Sequence, residues 1–438
     1  MKIERIRPYL NNTLWLLAEK VARITIGIFL FAYIARYLGP EKFGLLNFAV
    51  VLVAVTEPLI ALGLNRMLVR DLVRFPEKRD EIIASVFVCK LFVAVVCFLL
   101  LLVVSLVLGV GPPEARLLIV VLAIGSLFRA FDVIEFFFQS QVAAKYSTIY
   151  KSIAFVTASA VNLVLVFLEA DLLYFAAVIS GELMLVGLFA LIAYRHAHHK
   201  LLFGQFSVAA SKKMIAECWP EVVAGVGTML CMRLDQLMLE EMVGIKAVGV
   251  FATAARLSDA WYFIPAAIVS TTFPAIIAVR ATSEHDYMQS LQNLFLILAA
   301  MSYAIVLPTM LLAPVLIETL FGEQYVEAAS ILMIYIWCLP AVAIGLCSGS
   351  WIFAEGKIIL SLYRMLLGTV CNVLLNLVLI PLYGGIGAAM ATVISLFVAF
   401  YLFDLFNAAM RPLFFMKTRA LFLQGLIGYL KSYLPKAP

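Results

Sequence analysis

Charge is scarce in this chain: only 13% of its 438 residues are Asp, Glu, Lys or Arg, against about 25% in an ordinary soluble domain. Histidine is rarer still, with four in the whole chain. No Cys-x-x-Cys pair, zinc-ligand spacing, nucleophile elbow or dinucleotide fingerprint occurs. Gly349 to Lys357, GSWIFAEGK, is superficially like a phosphate loop, but its spacing is wrong and no Ser or Thr follows the Lys. These absences exclude ATP hydrolysis within the chain and the common hydrolases. The seven cysteines lie mostly in apolar runs and are expected to act as packing residues rather than disulfide or metal partners. No cleavable leader is evident, because Lys2, Arg5 and Arg7 lead into an apolar run long enough to remain as a span.

What fills the sequence is hydrocarbon. Hydrophobic residues make up 64% and the mean hydropathy is +1.05, so the expected class is an all-α polytopic membrane protein. A span needs about 20 mostly apolar residues, and twelve such runs are expected, beginning with 13–35 and 44–65 and ending with 365–382 and 386–407. The organisation expected from these runs is an N-terminal six-helix bundle (1–194), a linker loop (195–218), a C-terminal six-helix bundle (219–407) and a tail (408–438), expected as a helix lying at the membrane surface.

Basic residues set the orientation. The N-terminus, the even-numbered gaps and the tail hold 22 Lys and Arg, whereas the odd gaps hold four. Both termini are therefore expected in the cytoplasm. The segment RMLVRDLVR places Arg66, Arg70 and Arg74 at i, i+4 and i+8, with Leu68, Leu72 and Val73 on other faces. That pattern fits a short helix on an anionic leaflet. His196, His198 and His199 in the middle loop read as a solvated basic stretch rather than a metal site. Nothing points to nucleic acid.

The chain repeats itself. LGPEKFGLLNFA (38–49) and VGIKAVGVFATA (243–254) both place glycines five apart, Gly39/Gly44 and Gly244/Gly249, and each joins the first two spans of its half. Weaker echoes pair AAKY (143–146) with AEGK (354–357) and AVIS (177–180) with TVIS (392–395). Two six-span units running in the same direction are suggested, a transporter plan with binding between the halves.

Several charges fall inside the spans, where each costs at least about 2.5–3.5 kcal/mol at the bilayer centre. Glu19 and Arg23 are i, i+4; Arg129 and Asp132 are i, i+3; Arg233 and Asp235 lie mid-span; Arg256 and Asp259 are i, i+3. Glu57 precedes the kinking Pro58, and Glu182 is mid-span. Local pairing would make them helix locks. An arginine with an accessible edge would instead suit a multivalent anion such as phosphate, and an acid beside it could couple H+ or Na+. Arg23, Arg129, Arg233 and Arg256 are thus the substrate-cavity candidates, and Asp235, Asp259, Glu182 and Glu57 the ion-coupling candidates. Lys90 and Asp404, closer to span ends, are expected to snorkel.

IARYLGPEKFGLLNFA (34–49) resembles the N-terminal signature of the polysaccharide transport family, the Wzx-type lipid-linked oligosaccharide flippases. MRLDQLMLEEMVGIKAVGVFATAARL (232–257) resembles the opening of that family's second half, and LYGGIGAAMATVIS (382–395) its penultimate turn and final span. The resemblance covers essentially the whole chain; the wider superfamily also holds multidrug exporters and peptidoglycan-precursor flippases. It implies a two-bundle transporter with alternating access, moving a glycan unit on undecaprenyl diphosphate through a cationic cavity while the polyprenyl tail stays in lipid. Arg23 and Arg233 sit where related flippases place cavity arginines, and Asp235 matches an acid frequent in that span. A glycan polymerase and chain-length regulator are implied as partners, a bacterial inner membrane as the location, and no cofactor. The alternatives are a multidrug exporter of the same superfamily, a membrane-embedded glycan polymerase, which the short outer loops disfavour, and a scaffold, which leaves the buried charges unexplained.

Overall fold

The computed structural model describes residues 3–141, 143–197, 206–280 and 282–425. Side chains are described from residue 21 onward apart from Arg66, Ala144, Ala209, Ala210, Cys231 and Ile358. Expectations resting on Glu19, Arg66, His198, His199 or the last thirteen residues lie outside this set. Among the described residues the chain is helical with no strand, as a backbone that must satisfy its own hydrogen bonds in lipid requires. Among the described residues, nine helical stretches are long and apolar enough to cross a membrane, with a tenth if the bent Met214–Leu230 and Met232–Met242 pair forms one span. This is a multi-pass membrane protein.

The chain divides into two compact units, Met1–Gly249 and Val250–Pro438. The division falls within the helix Ile245–Asp259. Unit 1 contains α1 (Ile3–Ala54), α2 (Glu57–Ala61), α3 (Asn65–Arg74), α4 (Arg79–Leu102), α5 (Ala115–Ser126), α6 (Asp132–Ser140), α7 (Ala144–Phe167), α8 (Leu172–His196), α9 (Val208–Met242) and the start of α10 (Ile245–Asp259). Unit 2 continues with α11 (Phe263–Arg280), α12 (Glu284–Phe321), α13 (Glu327–Tyr335), α14 (Cys338–Ala354), α15 (Ile358–Phe397), α16 (Phe403–Phe406) and α17 (Arg411–Leu421).

Two of the apolar stretches, Val21–Ala61 and Ile359–Phe406, are 41 and 48 residues long, about twice what one crossing needs. Each is broken at a glycine that leaves the helical region, Gly39 (φ 73°) in α1 and Gly384 (φ 56°) in α15. A residue with a Cβ is disfavoured at both. Past the second break the chain folds back so tightly that a Cβ on Gly387 would overlap the carbonyl of Leu379.

The repeated glycines do their work in pairs. A Cβ on Gly44 would overlap the carbonyl oxygen of Ile245, and one on Gly249 would overlap the carbonyl oxygen of Pro40. Counted within the repeat, Gly44 corresponds to Gly249 and Pro40 to Ile245, so this is one contact made in both directions. Small residues are how helices in lipid approach closely enough for backbone-to-backbone packing.

On the polar side of unit 1, α3 is the expected amphipathic helix. Leu68 and Leu72 are buried in a cluster with Ile83, Phe137, Tyr194 and Cys218, while Arg70 is exposed and donates to Asp71 at 2.8 Å. That bond holds the Arg70 guanidinium above its ordinary pKa. Val73, by contrast, is 62% exposed.

Replacing Gly44 or Gly249 by Ala should cost about 1–3 kcal/mol through overpacking, read as a lower thermal unfolding midpoint in detergent. Gly27, with nothing within 4 Å of its would-be Cβ, is the control: Gly27→Ala should be neutral or stabilising by helix propensity. Equal midpoints for all three variants would show that the close approach contributes no stability.

Candidate functional site

The mid-span charges of unit 1 pair between helices. Arg129 bonds through its NH2 nitrogen to Glu57 Oε1, joining the segment after α5 to α2. The expected local partner, Asp132, lies near both Lys90 and Arg129, and Glu135 also neighbours Lys90. Arg23 lies 3.8 Å from Glu182, joining α1 to α8, and its guanidinium sits 4.9 Å from the Phe155 ring centre on α7. Four of the predicted site residues are thus brought into two pairs that the sequence did not show.

Local backbone explains part of this. α1 ends at Ala54 and α2 starts at Glu57 with Pro58 in its first turn, so Glu57 stands at a helix N-terminus, where a carboxylate is favoured by the dipole. Arg129 lies in a 3-10 segment, Leu127–Phe131, between α5 and α6. Interrupted helices are where transporters place binding groups.

Exposure separates these pairs from another. Side-chain exposure is 31% and 30% for Arg23 and Glu182 and 27% and 38% for Arg129 and Glu57. Both pairs are therefore part-exposed, although Arg23 Nη2 is itself buried. In unit 2, Lys417 and Asp404 are both at 0%: Lys417 Nζ donates at 2.6 Å to Asp404 Oδ2 and at 2.6 Å to the carbonyl of Phe400. That pair is sealed and structural.

The expectation that Asp404 and Lys90 snorkel is therefore corrected. Lys90 is 1% exposed, over the Phe136 ring at 5.3 Å, and Asp404 is locked to Lys417. Snorkelling needs a free path to water; here each position along the helix faces protein instead. The described part of the tail, α17, is likewise docked, with Leu413 and Ala420 buried and Tyr303 Oη donating to the carbonyl of Leu421 at 2.9 Å.

The other candidates lie on α9 and α10. Asp235 is fully buried in α9 and accepts from the Gln236 backbone N–H at 2.8 Å, with Arg233 two residues earlier half-buried. In α10, Arg256 is exposed and Asp259 half-buried. No group of three or more His, Cys, Asp or Glu among the described residues is placed to hold a metal.

Sequence reasoning missed polar groups in unit 2. Arg364 is 4% exposed and donates to Ser348 Oγ at 3.0 Å; it had fallen in a loop because α15 starts seven residues before the expected span. Asn376 donates to Asn372 Oδ1 at 3.0 Å, and Asn372 reaches Ser395 Oγ at 3.3 Å. Two asparagines at i, i+4 in an otherwise apolar run were the available signal.

Comparison with known proteins adds relatives. The family model described as "Polysaccharide biosynthesis protein" matches residues 9–279. The chain is 25% identical over 167 residues to "Capsular polysaccharide biosynthesis protein CapF" of Staphylococcus aureus, covering 38% of this chain and 42% of that one. It is 28% identical over 167 residues to "Probable flippase AglR" of Haloferax volcanii, covering 37% and 35%. The matched stretch thus spans well under half of each of these relatives. Among solved structures, the lipid II flippase MurJ in an inward closed conformation aligns with TM-score 0.68 at 15% identity, over 98% of this chain and 94% of that one. An inward-facing multidrug resistance MATE transporter aligns with TM-score 0.67 at 18% identity, over 94% and 99%. At these identities the likeness establishes the fold.

Lys417→Met should cost about 3–5 kcal/mol, because it strands a buried carboxylate, whereas Lys417→Met with Asp404→Leu should recover most of that. The check is the thermal midpoint of each variant; additive losses in the double variant would contradict a sealed pair.

Proposed function

The chain belongs to the polysaccharide biosynthesis protein family, and on that footing we propose that it is a flippase. Its cargo is an oligosaccharide repeat unit on undecaprenyl diphosphate, carried from the inner to the outer leaflet of a bacterial cytoplasmic membrane. The moved unit feeds O-antigen, capsule or exopolysaccharide synthesis. In this reading the chain is a transporter and not an enzyme. Both termini are cytoplasmic, and α1 and α15 each supply two crossings, which brings the total to twelve.

The observation that carries the proposal is the pair of half-open arginines. Arg23 and Arg129 each meet a carboxylate from another helix and each side chain is part-exposed in an apolar unit. A diphosphate offers oxygens that a planar guanidinium can engage two at a time. Arg233 on α9 and Arg256 on α10 are the further cationic candidates for that cargo, and transport is by alternating access. The sugars and diphosphate cross past these arginines while the lipid tail stays in the bilayer.

Movement against a gradient needs coupling. Protonation of Glu182 or Glu57 would release its arginine, and Asp235 and Asp259 are the corresponding acids on α9 and α10; H+ or Na+ is the coupling ion. The polymerase and chain-length regulator act downstream on the moved unit.

A multidrug exporter shares the fold, as the MATE alignment makes plain. Cationic drugs favour an acidic cavity, so four arginine candidates argue for an anionic cargo.

Deletion of the gene in its host should leave lipid-linked oligosaccharide on the inner leaflet and remove the surface glycan. Single units on the outer leaflet would mean that polymerisation had failed instead, and an altered drug susceptibility with normal glycan would favour the exporter. Arg233→Ala should impair export at normal protein level. Asp235→Asn and Glu182→Gln should weaken the response of transport to a collapsed proton or sodium gradient; an unchanged response in both removes them as coupling sites.

A further inference from the structure

Unit 1 carries a groove of about 520 Å³ between α1 and α7, with Arg23 of the Arg23–Glu182 pair among its lining residues. Its walls are aliphatic: Ile26 from α1 and Ile149, Ile153 and Val156 from α7 are 47%, 46%, 50% and 59% exposed. Its two ends are not. Lys145, at the first turn of α7, stands at one end, and Arg23, beside Phe155, at the other.

The pattern along α7 is regular. Lys145, Thr148 and Ser152 fall within a narrow stripe at helical spacing, and Ile149, Ile153 and Val156 fall in the stripe beside it. From Lys145 to Val156 the helix rises about 16 Å, roughly half of a ~30 Å hydrocarbon core. The groove is therefore as deep as one leaflet. In the orientation proposed above, Lys145 is at the cytoplasmic rim and Arg23 near mid-membrane.

We propose that this groove binds the polyprenyl chain of the lipid-linked substrate before translocation, with the substrate's phosphate at Lys145 and the chain lying along Ile149, Ile153 and Val156 towards Phe155. The proposal rests on the flippase reading and adds to it a docking place for the tail. A lysine at the headgroup level is complementary to a lipid phosphate, and an aliphatic trough one leaflet deep is complementary to a single chain. The Arg23–Glu182 pair at the deep end then receives the diphosphate when the headgroup leaves the rim. The half-polar stripe of Thr148 and Ser152 provides hydroxyls between the two cations.

The test uses the full-length protein in vesicles of phosphatidylethanolamine and phosphatidylglycerol. The probe is a polyprenyl diphosphate carrying a photoreactive diazirine near its diphosphate end, and labelled peptides are mapped by mass spectrometry. Label is expected on 22–26 and 149–156, and should fall to background in Ile153→Trp, which fills the groove, and weaken in Lys145→Glu. Ile124→Trp, an exposed aliphatic on α5, should label as the parent does, and Ile153→Ala, which leaves the groove open, should keep its label. Elution as a monodisperse peak confirms that each variant is folded.

Label confined to other helices, or unchanged in Ile153→Trp, overturns the proposal. So does equal labelling by a diazirine-bearing phosphatidylglycerol, which would make the groove a general lipid seam. The two readings fail separately: parent protein that moves no lipid-linked glycan sinks the flippase, while a parent that moves it with α7 unlabelled sinks only the groove.

Discussion

The contact on which unit 1 depends is the mutual approach of two turns, with Gly44 against the Ile245 carbonyl and Gly249 against that of Pro40. Nothing larger than hydrogen fits at either place. Lipid tails are as apolar as leucine, so helices in a bilayer gain little by hiding hydrocarbon from each other and rely on packing and hydrogen bonds. A backbone-to-backbone contact of this kind is among the densest packing available. Its two-fold form also means that a change on one side is mirrored by the same requirement on the other. A contact without side chains also involves no rotamer that would have to reorganise if it parted.

Charge is governed by a second rule, which is degree of sealing. The Lys417–Asp404 pair is fully enclosed; its lysine also bonds a carbonyl, while Asp404 Oδ1 is buried without a hydrogen-bond partner. Such a pair adds little net stability over a hydrophobic substitute but is costly to break. The Arg23–Glu182 and Arg129–Glu57 pairs keep about a third of their side-chain surface open. That is the condition in which a passing anion can compete for the arginine.

Much of the architecture could be read from the chain. Hydropathy marked the spans, and Gly39 and Gly44 with Gly244 and Gly249 marked the turns, because glycine at fixed spacing has a backbone reason to be there. Partners of charges could not be read this way. Arg129 had Asp132 at i+3 and took Glu57, seventy-two residues away; Asp404 looked close enough to a span end to reach water and was instead covered by α17. Local spacing limits which residues can meet along one helix, but the face presented to a neighbouring helix is set by packing between distant segments. Lys417 was invisible for the same reason: its tail has too little apolar length to be called a span, and its docking depends on α12.

The irregular backbone and the charges coincide too often to be treated apart. Glu57 opens α2 just after the chain breaks at Val55 and Thr56; Arg129 lies in a 3-10 turn; Asp259 immediately precedes another, Ala260–Tyr262; Asp404 follows a π-helical turn, Val398–Leu402. Each departure from the α pattern frees or redirects backbone groups that an unbroken helix would use internally. At Phe400 the consequence is visible, since its carbonyl accepts from Lys417. A charge in lipid needs more partners than one opposite side chain supplies, and a broken helix delivers them at the right depth. The breaks at Glu57 and Arg129 therefore serve the same end as the arginines themselves: they make a polar interior tolerable within an apolar unit.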